Sequence, residues 1–413
     1  DVADRAAIER AKRRALFVRY GNPALSDADR AALTPLRPAF HFGAYQGSPF
    51  VAETTGGYAG EKAYAAARDG GFTLATILPA WGWVQPYVND HATVEQKFGP
   101  EALAKLGYAI KAHGVCWLQD FMDILPKDQR ALPHDKLIDA ALNYQQQLLS
   151  ALGKQMDIVE AINEPATTNV VNFSREEMID FTKRAAANVV AAGKPALVNS
   201  PHEFNYGSKY DVYTVDGKPV NPYPDTFASF LDAAAHAHAL DDVMILGLQV
   251  YPGFHLSGND TPDFEGPCWT PAFFERMLDT YAKFRKVIHI TEFSVPSSYP
   301  QGWKAGYWKK PWDESIQADY AEAIYTIAFG HPNVQAIGWW DISDEKPSVV
   351  TGGLLHADLR PKPVFDRLSH FIHDAHSPHM QPDGKRGGGL PAGVYSLNGK
   401  EIAVLPGTTP DVK

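Results

Sequence analysis

Residues 158–200 read IVEAINEPATTNVVNFSREEMIDFTKRAAANVVAAGKPALVNS, and this stretch decides the fold. Its first residues, Ile158–Asn163, are rich in β-branched and aliphatic side chains and predict a buried strand. A helix is predicted over Ser174–Ala192, which opens with the capping-box sequence Ser-Arg-Glu-Glu. The apolar run Ala196–Ser200 predicts the next strand. Such a strand–helix–strand unit is typical of a parallel sheet covered by helices.

The same alternation recurs along the chain. The predicted strands are Ala39–Tyr45, Phe72–Leu78, Val115–Gln119, Ile158–Asn163, Ala196–Ser200, Met244–Val250, Lys286–Glu292 and Gln335–Asp341. The predicted helices are Tyr58–Asp69, Pro100–Ala112, His134–Leu152, Ser174–Ala192, Asp225–Ala239, Pro271–Phe284, Glu314–Phe329 and Lys362–His373. Eight such units predict an α/β fold, a (β/α)8 or TIM barrel, because eight parallel strands can close on themselves. An open doubly wound sheet is the alternative, but no G-x-G-x-x-G opens the first helix.

Two segments lie outside the barrel pattern and define the predicted domain organisation. Residues 1–37 form a short N-terminal extension, a helix and a loop that we expect to cover the barrel floor. Residues 38–376 form the predicted (β/α)8 barrel. Residues 377–413 form a Gly/Pro-rich linker and a C-terminal hairpin-like tail, because Asn398-Gly399 interrupts an alternating run and favours a two-residue hairpin turn.

The composition is that of an ordinary globular protein and sets limits on its partners. The chain has 413 residues, of which 45% are hydrophobic and 21% charged, and a formal net charge of -10. This charge argues against nucleic acid or an anionic membrane surface as a partner. No apolar run is long enough to predict a membrane span. Cys116 and Cys268 lack metal-binding spacing and are predicted to be free thiols.

Two glutamates stand where predicted strands give way to loops. Glu164 follows the fourth strand and Glu292 ends the seventh. A single glutamate in such a place is ordinarily a solvated strand end. In a barrel, however, reactive side chains sit at the carboxyl ends of the strands. The fourth and seventh strands lie across the barrel mouth from each other, so the two carboxylates can converge there.

A pair of carboxylates suits glycoside hydrolysis. One carboxyl must be protonated to assist the leaving oxygen, and the other must be ionised to attack or stabilise an oxocarbenium-like carbon. Asn163, beside Glu164, is a candidate to bind the sugar 2-hydroxyl, an interaction that strengthens in the transition state. The alternative is that Asn163 is an ordinary turn residue after a strand.

The segments Asn163-Glu164-Pro165 and Ile290-Thr291-Glu292 resemble the two signature sites of the large barrel clan of retaining glycosidases. Within that clan the chain is most similar to glycoside hydrolase family 10, the xylanase family. Matching segments run in order along the chain and include Ile288–Glu292, Leu246–Gln249, Trp340–Asp344, Gly353–Asp358 and Pro361-Lys362-Pro363. The resemblance implies that Glu164 is the acid/base and Glu292 the nucleophile. It implies double-displacement cleavage of a β-linked plant polysaccharide or oligosaccharide, such as β-1,4-linked xylan.

The chain departs from the family at the sugar-recognition residues. The second strand of the family ends with a Glu-Asn pair and a following Lys, whereas residues 75–83 here read ATILPAWGW. The third strand of the family carries Trp-His, and here the pair is Trp117-Leu118. Tyr251 stands where the family has His. The resemblance therefore implies a retained catalytic pair and a rebuilt sugar site.

Other candidate substrate-binding residues lie at predicted strand ends and in the following loops. The polar candidates are Gln249, Tyr251, Asn199 and His289, with Glu203 and Asn205 further along the loop after the fifth strand; we expect Tyr251 to donate a hydrogen bond to Glu292. The aromatic candidates for sugar stacking are Trp81, Trp83, Trp117 and Trp340, with Trp303, Trp308 and Trp312 also in loops. The alternative for the tryptophans is packing of long loops on the barrel, and for His289 a hydrogen-bonded core position.

We expect no cofactor and no metal, since the histidines at 236, 238, 370, 373, 376 and 379 lie on or near outer helices far from the mouth. The expected partner is a polysaccharide or oligosaccharide, bound by a monomer. The substrate class implies a secreted or periplasmic protein. Two alternatives stay open: an exo-acting or differently specific β-glycosidase of the same clan, and a carbohydrate-binding protein that has lost catalysis.

Overall fold

Eight parallel strands form a closed barrel in chain order. The computed structural model describes residues 2–47, 60–201, 214–215, 218–219, 226–252, 270–299, 308–345, 347–377 and 389–407. The barrel strands are His41–Tyr45, Leu74–Ile77, Ala109–Ala112, Ile158–Asn163, Ala196–Pro201, Val243–Val250, Val287–Phe293 and Val334–Trp340. The eighth strand pairs with the first, placing Trp340 opposite Tyr45. The predicted (β/α)8 barrel is confirmed.

The helices of the described residues mostly follow the barrel strands. They are Val2–Val18, Asp27–Ala31, Gly60–Asp69, Trp81–Val84, His91–Phe98, Pro100–Lys105, His134–Leu152, Arg175–Ala191, Phe227–His236, Pro271–Ala282, Glu314–Gly330 and Pro363–Ala375. Ser174 caps its helix, and the Glu177 side chain completes the capping box. None of the helices in the described ranges is long and apolar enough to cross a membrane.

Burial on both faces explains the apolar strand sequences. Every residue of Ile158–Asn163 is buried, as is every residue of Ala196–Pro201. One face of each strand points into the barrel and the other meets the outer helices, so neither face needs to be polar. Polar side chains inside these strands are therefore exceptions with a structural or functional reason.

The third strand is not where the sequence analysis placed it. It spans Ala109–Ala112, within the end of the predicted helix, and the helix ends at Lys105. Gly107 adopts a left-handed conformation (φ +86°) that stops the helix. Lys111 interrupts the apolar pattern of the true strand although it is buried. The segment predicted as the strand, Val115–Gln119, instead continues into the barrel mouth.

The two ends of the chain come together in a small antiparallel sheet. Strand Thr34–Pro38 pairs with Gly393–Leu397, which pairs with Lys400–Val404. Asn398 and Gly399 both have positive φ, as a two-residue hairpin turn requires, and the predicted hairpin is confirmed. The N-terminal helix packs against helices Pro271–Ala282 and Glu314–Gly330. Short strands Tyr20–Gly21 and Leu390–Pro391 also pair, and Thr214–Val215 pairs with Lys218–Pro219.

Candidate active site

The backbone at the end of the fourth strand turns sharply at Glu164. This residue adopts a left-handed conformation (φ 54°) immediately before Pro165. Its N–H still donates to the carbonyl oxygen of Asn199 on the fifth strand at 2.7 Å. A non-glycine residue in this conformation is uncommon and needs support from its surroundings. The turn keeps Glu164 fixed to the barrel rim while the chain leaves the strand.

Three side chains surround the Glu164 carboxyl group. Trp117 Nε1 donates to Oε2 at 3.0 Å, and Thr168 Oγ1 lies 2.5 Å from the same oxygen. Gln249 Nε2 donates to Oε1 at 3.1 Å. The candidate residues Trp117 and Gln249 therefore meet Glu164, and Thr168 joins them without having been predicted.

The Glu292 carboxyl group is held by different partners. Tyr251 donates its hydroxyl to Glu292 Oε2 at 2.6 Å. Asn199 Nδ2 donates to Oε1 at 3.2 Å, and His113 Nε2 lies 3.6 Å from the same oxygen. The predicted hydrogen bond from Tyr251 to Glu292 is present.

An amide cluster connects the two carboxylates. Asn163 Oδ1 accepts hydrogen bonds from Asn199 Nδ2 at 3.0 Å and from Gln249 Nε2 at 3.3 Å. Asn199 reaches on to Glu292, and Gln249 reaches on to Glu164. Asn163 Nδ2 is buried and has no partner in the described part of the chain. The Asn163 Nδ2 group is therefore the donor of the amide cluster that has no acceptor within the described residues.

A buried histidine and a buried glutamate, neither of which was predicted from the sequence, lie beneath Glu292. His113 Nδ1 lies 2.8 Å from Glu160 Oε2, and the Gly114 N–H donates to Glu160 Oε1 at 3.1 Å. Lys111, two residues earlier on the third strand, is also buried. Glu160 could have been recognised from the sequence, because it is a charged residue in the middle of the apolar fourth strand. His113 was not predicted because the third strand lies earlier in the chain than the predicted strand.

Burial and charge act together on these groups. Burial raises the pKa of Glu164, and the Glu292 charge raises it further. Burial also raises the pKa of Glu292, but the nearby His113 opposes this. Burial lowers the pKa of His113, yet Glu160 and Glu292 outweigh burial and the pKa is raised. The charge of His113 thus favours ionised Glu292, and the charge of Glu292 favours protonated Glu164.

Aromatic rings line one side of the site. Tyr45 stacks on Trp340 with ring centroids 3.9 Å apart. His113 meets the edge of Trp340 at 5.1 Å and lies 5.9 Å from Trp117. Trp340 Nε1 donates to Ser348 Oγ, which fixes the indole. Trp340 and Trp117 are thus brought to the site as expected.

A small apolar cluster lies beside this aromatic group. Leu78, Ala80 and Ile124 form a small cluster with Trp83 and the rings already described. Leu78 stands in the segment where the xylanase family carries its Glu-Asn pair. Trp83 is half-buried and donates its indole N–H to the Met122 carbonyl oxygen at 2.7 Å. These residues form an apolar wall beside the aromatic rings.

Other candidates are placed away from the carboxylates. Trp81 is buried, stacks on Tyr144 and donates to Gln85, so its ring belongs to the core. His289 is buried among basic groups, and burial lowers its pKa to about 3. Its register places it beside Gly247, below Glu292 on the strand. Trp308 and Trp312 are also buried, packed on Tyr320, while Trp303, Glu203, Asn205 and Cys268 lie outside the described residues.

No family model and no curated protein matches the sequence. Xylanase 10B from Thermotoga maritima is 15% identical, with a TM-score of 0.55 over 81% of this chain and 95% of that chain. An endo-1,4-beta-xylanase from Penicillium canescens is 16% identical, with a TM-score of 0.54 over 81% and 95%. A GH10 endoxylanase from a sugarcane soil metagenome is 14% identical, with a TM-score of 0.56 over 81% and 97%. The fold is therefore a divergent form of the barrel found in family 10 xylanases.

Proposed function

We propose that this protein is a retaining glycoside hydrolase that cleaves β-linked plant polysaccharides or oligosaccharides by double displacement. Glu164 is the general acid/base and Glu292 is the nucleophile. The observation that supports this most is the amide cluster of Asn163, Asn199 and Gln249, which ties both carboxyl groups into one hydrogen-bonded site. Such a cluster restrains the two groups relative to each other, as bond cleavage requires.

The different partners of the two carboxyl groups support these roles. Glu292 faces His113 and accepts from Tyr251, and both interactions favour an ionised nucleophile. Glu164 is half-buried and faces that charge, which favours the protonated acid before the first step. Once the leaving group departs, Glu164 is ionised and can accept a proton from water. The two groups thus meet the requirements of both half-reactions.

The unpartnered Asn163 Nδ2 supports a sugar ligand. A buried amide donor without a partner is unusual in a folded protein. A substrate hydroxyl beside Glu164 would accept from it, and the sugar 2-hydroxyl is the group that gains most in the transition state. Trp117 is half-buried and contacts Glu164, so its ring can contribute a surface against which a pyranose packs.

The xylanase names of the structural neighbours favour a β-1,4-linked substrate such as xylan. A polysaccharide such as xylan is degraded outside the cytoplasm, so we propose a secreted or periplasmic enzyme. We further propose that it acts as a monomer.

The test is release of reducing ends from a panel of β-linked polysaccharides, with Glu164→Gln and Glu292→Gln compared with the unmodified protein. Each amide keeps the shape of the side chain and removes its acid or nucleophilic function. We expect activity on at least one polysaccharide and a loss of about a thousandfold or more in each variant. Binding of polysaccharide by the unmodified protein without any cleavage would instead support the carbohydrate-binding alternative.

A further inference from the structure

Thr168 forms a hydrogen bond with the Glu164 carboxyl group. The threonine is buried, with 3% of its surface exposed, and its Oγ1 lies 2.5 Å from Glu164 Oε2. A local turn creates this contact. The N–H groups of Thr167 and Thr168 both point at the Glu164 carbonyl oxygen, at 3.2 and 2.9 Å. The chain therefore folds back on itself and brings the hydroxyl under the carboxyl group of the same turn.

The other two partners of Glu164 are donors. The Trp117 indole nitrogen can only donate. The Gln249 Nε2 group faces two acceptors, Glu164 Oε1 and Asn163 Oδ1, which fixes it as a donor as well. A protonated carboxyl group, however, must itself donate a hydrogen bond. Of the three side-chain partners, only the Thr168 hydroxyl can accept it.

Within the described residues, neither charged group that acts on Glu164 hydrogen-bonds to its carboxyl group. The groups that act on its charge are Glu292 across the site and His113 on the neighbouring strand end. Glu292 Oε2 is occupied by the Tyr251 hydroxyl, and Oε1 accepts from Asn199. His113 is committed through its Nδ1 to Glu160. Of the described side chains that hydrogen-bond to the Glu164 carboxyl group, Thr168 is therefore the one that can accept its proton.

We propose, on the basis of the proposed function, that Thr168 is a positioning residue for the acid/base and serves both of its protonation states. Its hydroxyl accepts from Glu164 while the carboxyl is protonated and waits for the leaving oxygen. The same hydroxyl rotates to donate once Glu164 is ionised and must take a proton from water. The Thr168 hydroxyl thereby keeps the Glu164 carboxyl group in the same orientation through both half-reactions.

The two states depend on Thr168 to different degrees. A hydrogen bond donated to a carboxylate is roughly twice as strong as one between neutral groups. Removal of the hydroxyl therefore weakens the ionised form more than the protonated form. Consistent with this, Thr168 lowers the pKa of Glu164 against the effect of burial. In Thr168→Val the pKa of Glu164 should rise by about half to one unit.

The experiment measures the pKa of Glu164 directly by carbon NMR of 13C-labelled glutamate side chains, with the Glu164 signal assigned by its absence in Glu164→Gln. Thr168→Val should raise this pKa, and Thr168→Ser should leave it near that of the unmodified protein. Thr182→Val is the matched control, because Thr182 is equally buried and its hydroxyl donates to the Met178 carbonyl oxygen on an outer helix. Thr168→Ala replaces Thr168→Val if the valine variant fails to fold.

Kinetics provide the second readout. The alkaline limb of the kcat/KM profile should move to higher pH in Thr168→Val by the same amount as the titration, with the acid limb unchanged. An unchanged Glu164 pKa in Thr168→Val and Thr168→Ala would overturn the inference even if the enzyme is an active glycosidase. A protein inactive on every glycan would overturn the proposed function, and the NMR titration would still decide whether Thr168 controls Glu164.

Discussion

The His113 imidazole lies between two buried carboxylates, with Nδ1 2.8 Å from Glu160 Oε2 and Nε2 3.6 Å from Glu292 Oε1. Both His113 and Glu160 are inside the barrel, where an unpaired charge is strongly unfavourable. Glu160 favours the protonated imidazole, and the imidazolium in turn favours ionised Glu292. The buried imidazolium therefore favours the ionised carboxylate of Glu292, the proposed nucleophile.

This arrangement predicts the effect of replacing His113. In His113→Gln the positive charge beside Glu292 is lost, so the pKa of Glu292 should rise. The acid limb of the kcat/KM profile should move to higher pH by about one unit, as expected for loss of a neighbouring opposite charge. The pH dependence of hydrolysis measures the shift.

Glu160→Gln is the companion variant. It removes the group that keeps His113 protonated, so it should move the acid limb in the same direction. If the acid limb stays in place in both variants, His113 has no influence on the nucleophile and serves packing alone.

The unmodified enzyme should have a bell-shaped pH profile. Activity should fall at low pH as Glu292 becomes protonated and at high pH as Glu164 ionises. Burial raises the pKa of both groups, so both limbs should lie above the ordinary carboxylate value of 4.5. Initial rates on a soluble substrate measure the two limbs. A flat profile between roughly pH 4 and 9 would contradict the assignment of the two glutamates.

The sequence was sufficient to predict the barrel and the strand ends that carry Glu164 and Glu292. The reason is that burial on both faces makes parallel strands continuous apolar runs, and several of the runs here end at polar residues. Asn163, Asn199, Gln249 and Tyr251 stand at such stops. These residues meet in the structure because barrel strands share one rim.

The rest of the site depends on contacts that cannot be predicted from the apolar pattern of the strand sequences. Lys111 interrupts the apolar pattern of the third strand, so the strand was predicted too far along the chain. His113 was therefore not predicted as a site residue. Thr168 reaches Glu164 only because the chain turns back after a left-handed residue. Trp81 looked like its neighbour Trp83 in the sequence, but a one-turn helix directs its ring to Tyr144 in the core.

The apolar wall predicts an altered substrate preference. Leu78 and its neighbours stand in the segment where the resemblance expects a Glu-Asn pair and a lysine that grip the sugar next to the cleaved bond. Without those hydrogen bonds, kcat/KM on unbranched xylan should be at least about tenfold below that of an ordinary family 10 xylanase, the value of roughly one lost hydrogen bond. Product analysis on xylan and on other β-linked polysaccharides measures this. Efficient cleavage of xylan to short products would mean that other contacts have replaced the lost ones.

The distance between the two carboxyl groups predicts the stereochemical course. A retaining mechanism requires a separation of about 5–5.5 Å, since no water enters between the sugar and the nucleophile. A crystal structure with a bound, slowly hydrolysed oligosaccharide should show this spacing between Glu164 and Glu292. A separation near 9 Å would indicate inversion, and one beyond about 12 Å, wider than either geometry, would exclude the pair.

Azide rescue separates the two roles. In Glu164→Ala, an activated aryl glycoside needs no protonation and still forms the glycosyl-enzyme on Glu292. That intermediate accumulates because no base activates water, and azide, which needs no base, releases it with retained anomeric configuration. In Glu292→Ala, azide occupies the vacated space and attacks the sugar directly, once, with inversion. Proton NMR of the glycosyl azides should therefore show opposite configurations for the two variants. The reverse pattern would exchange the roles of Glu164 and Glu292, and full activity in both variants would show that neither glutamate acts in catalysis.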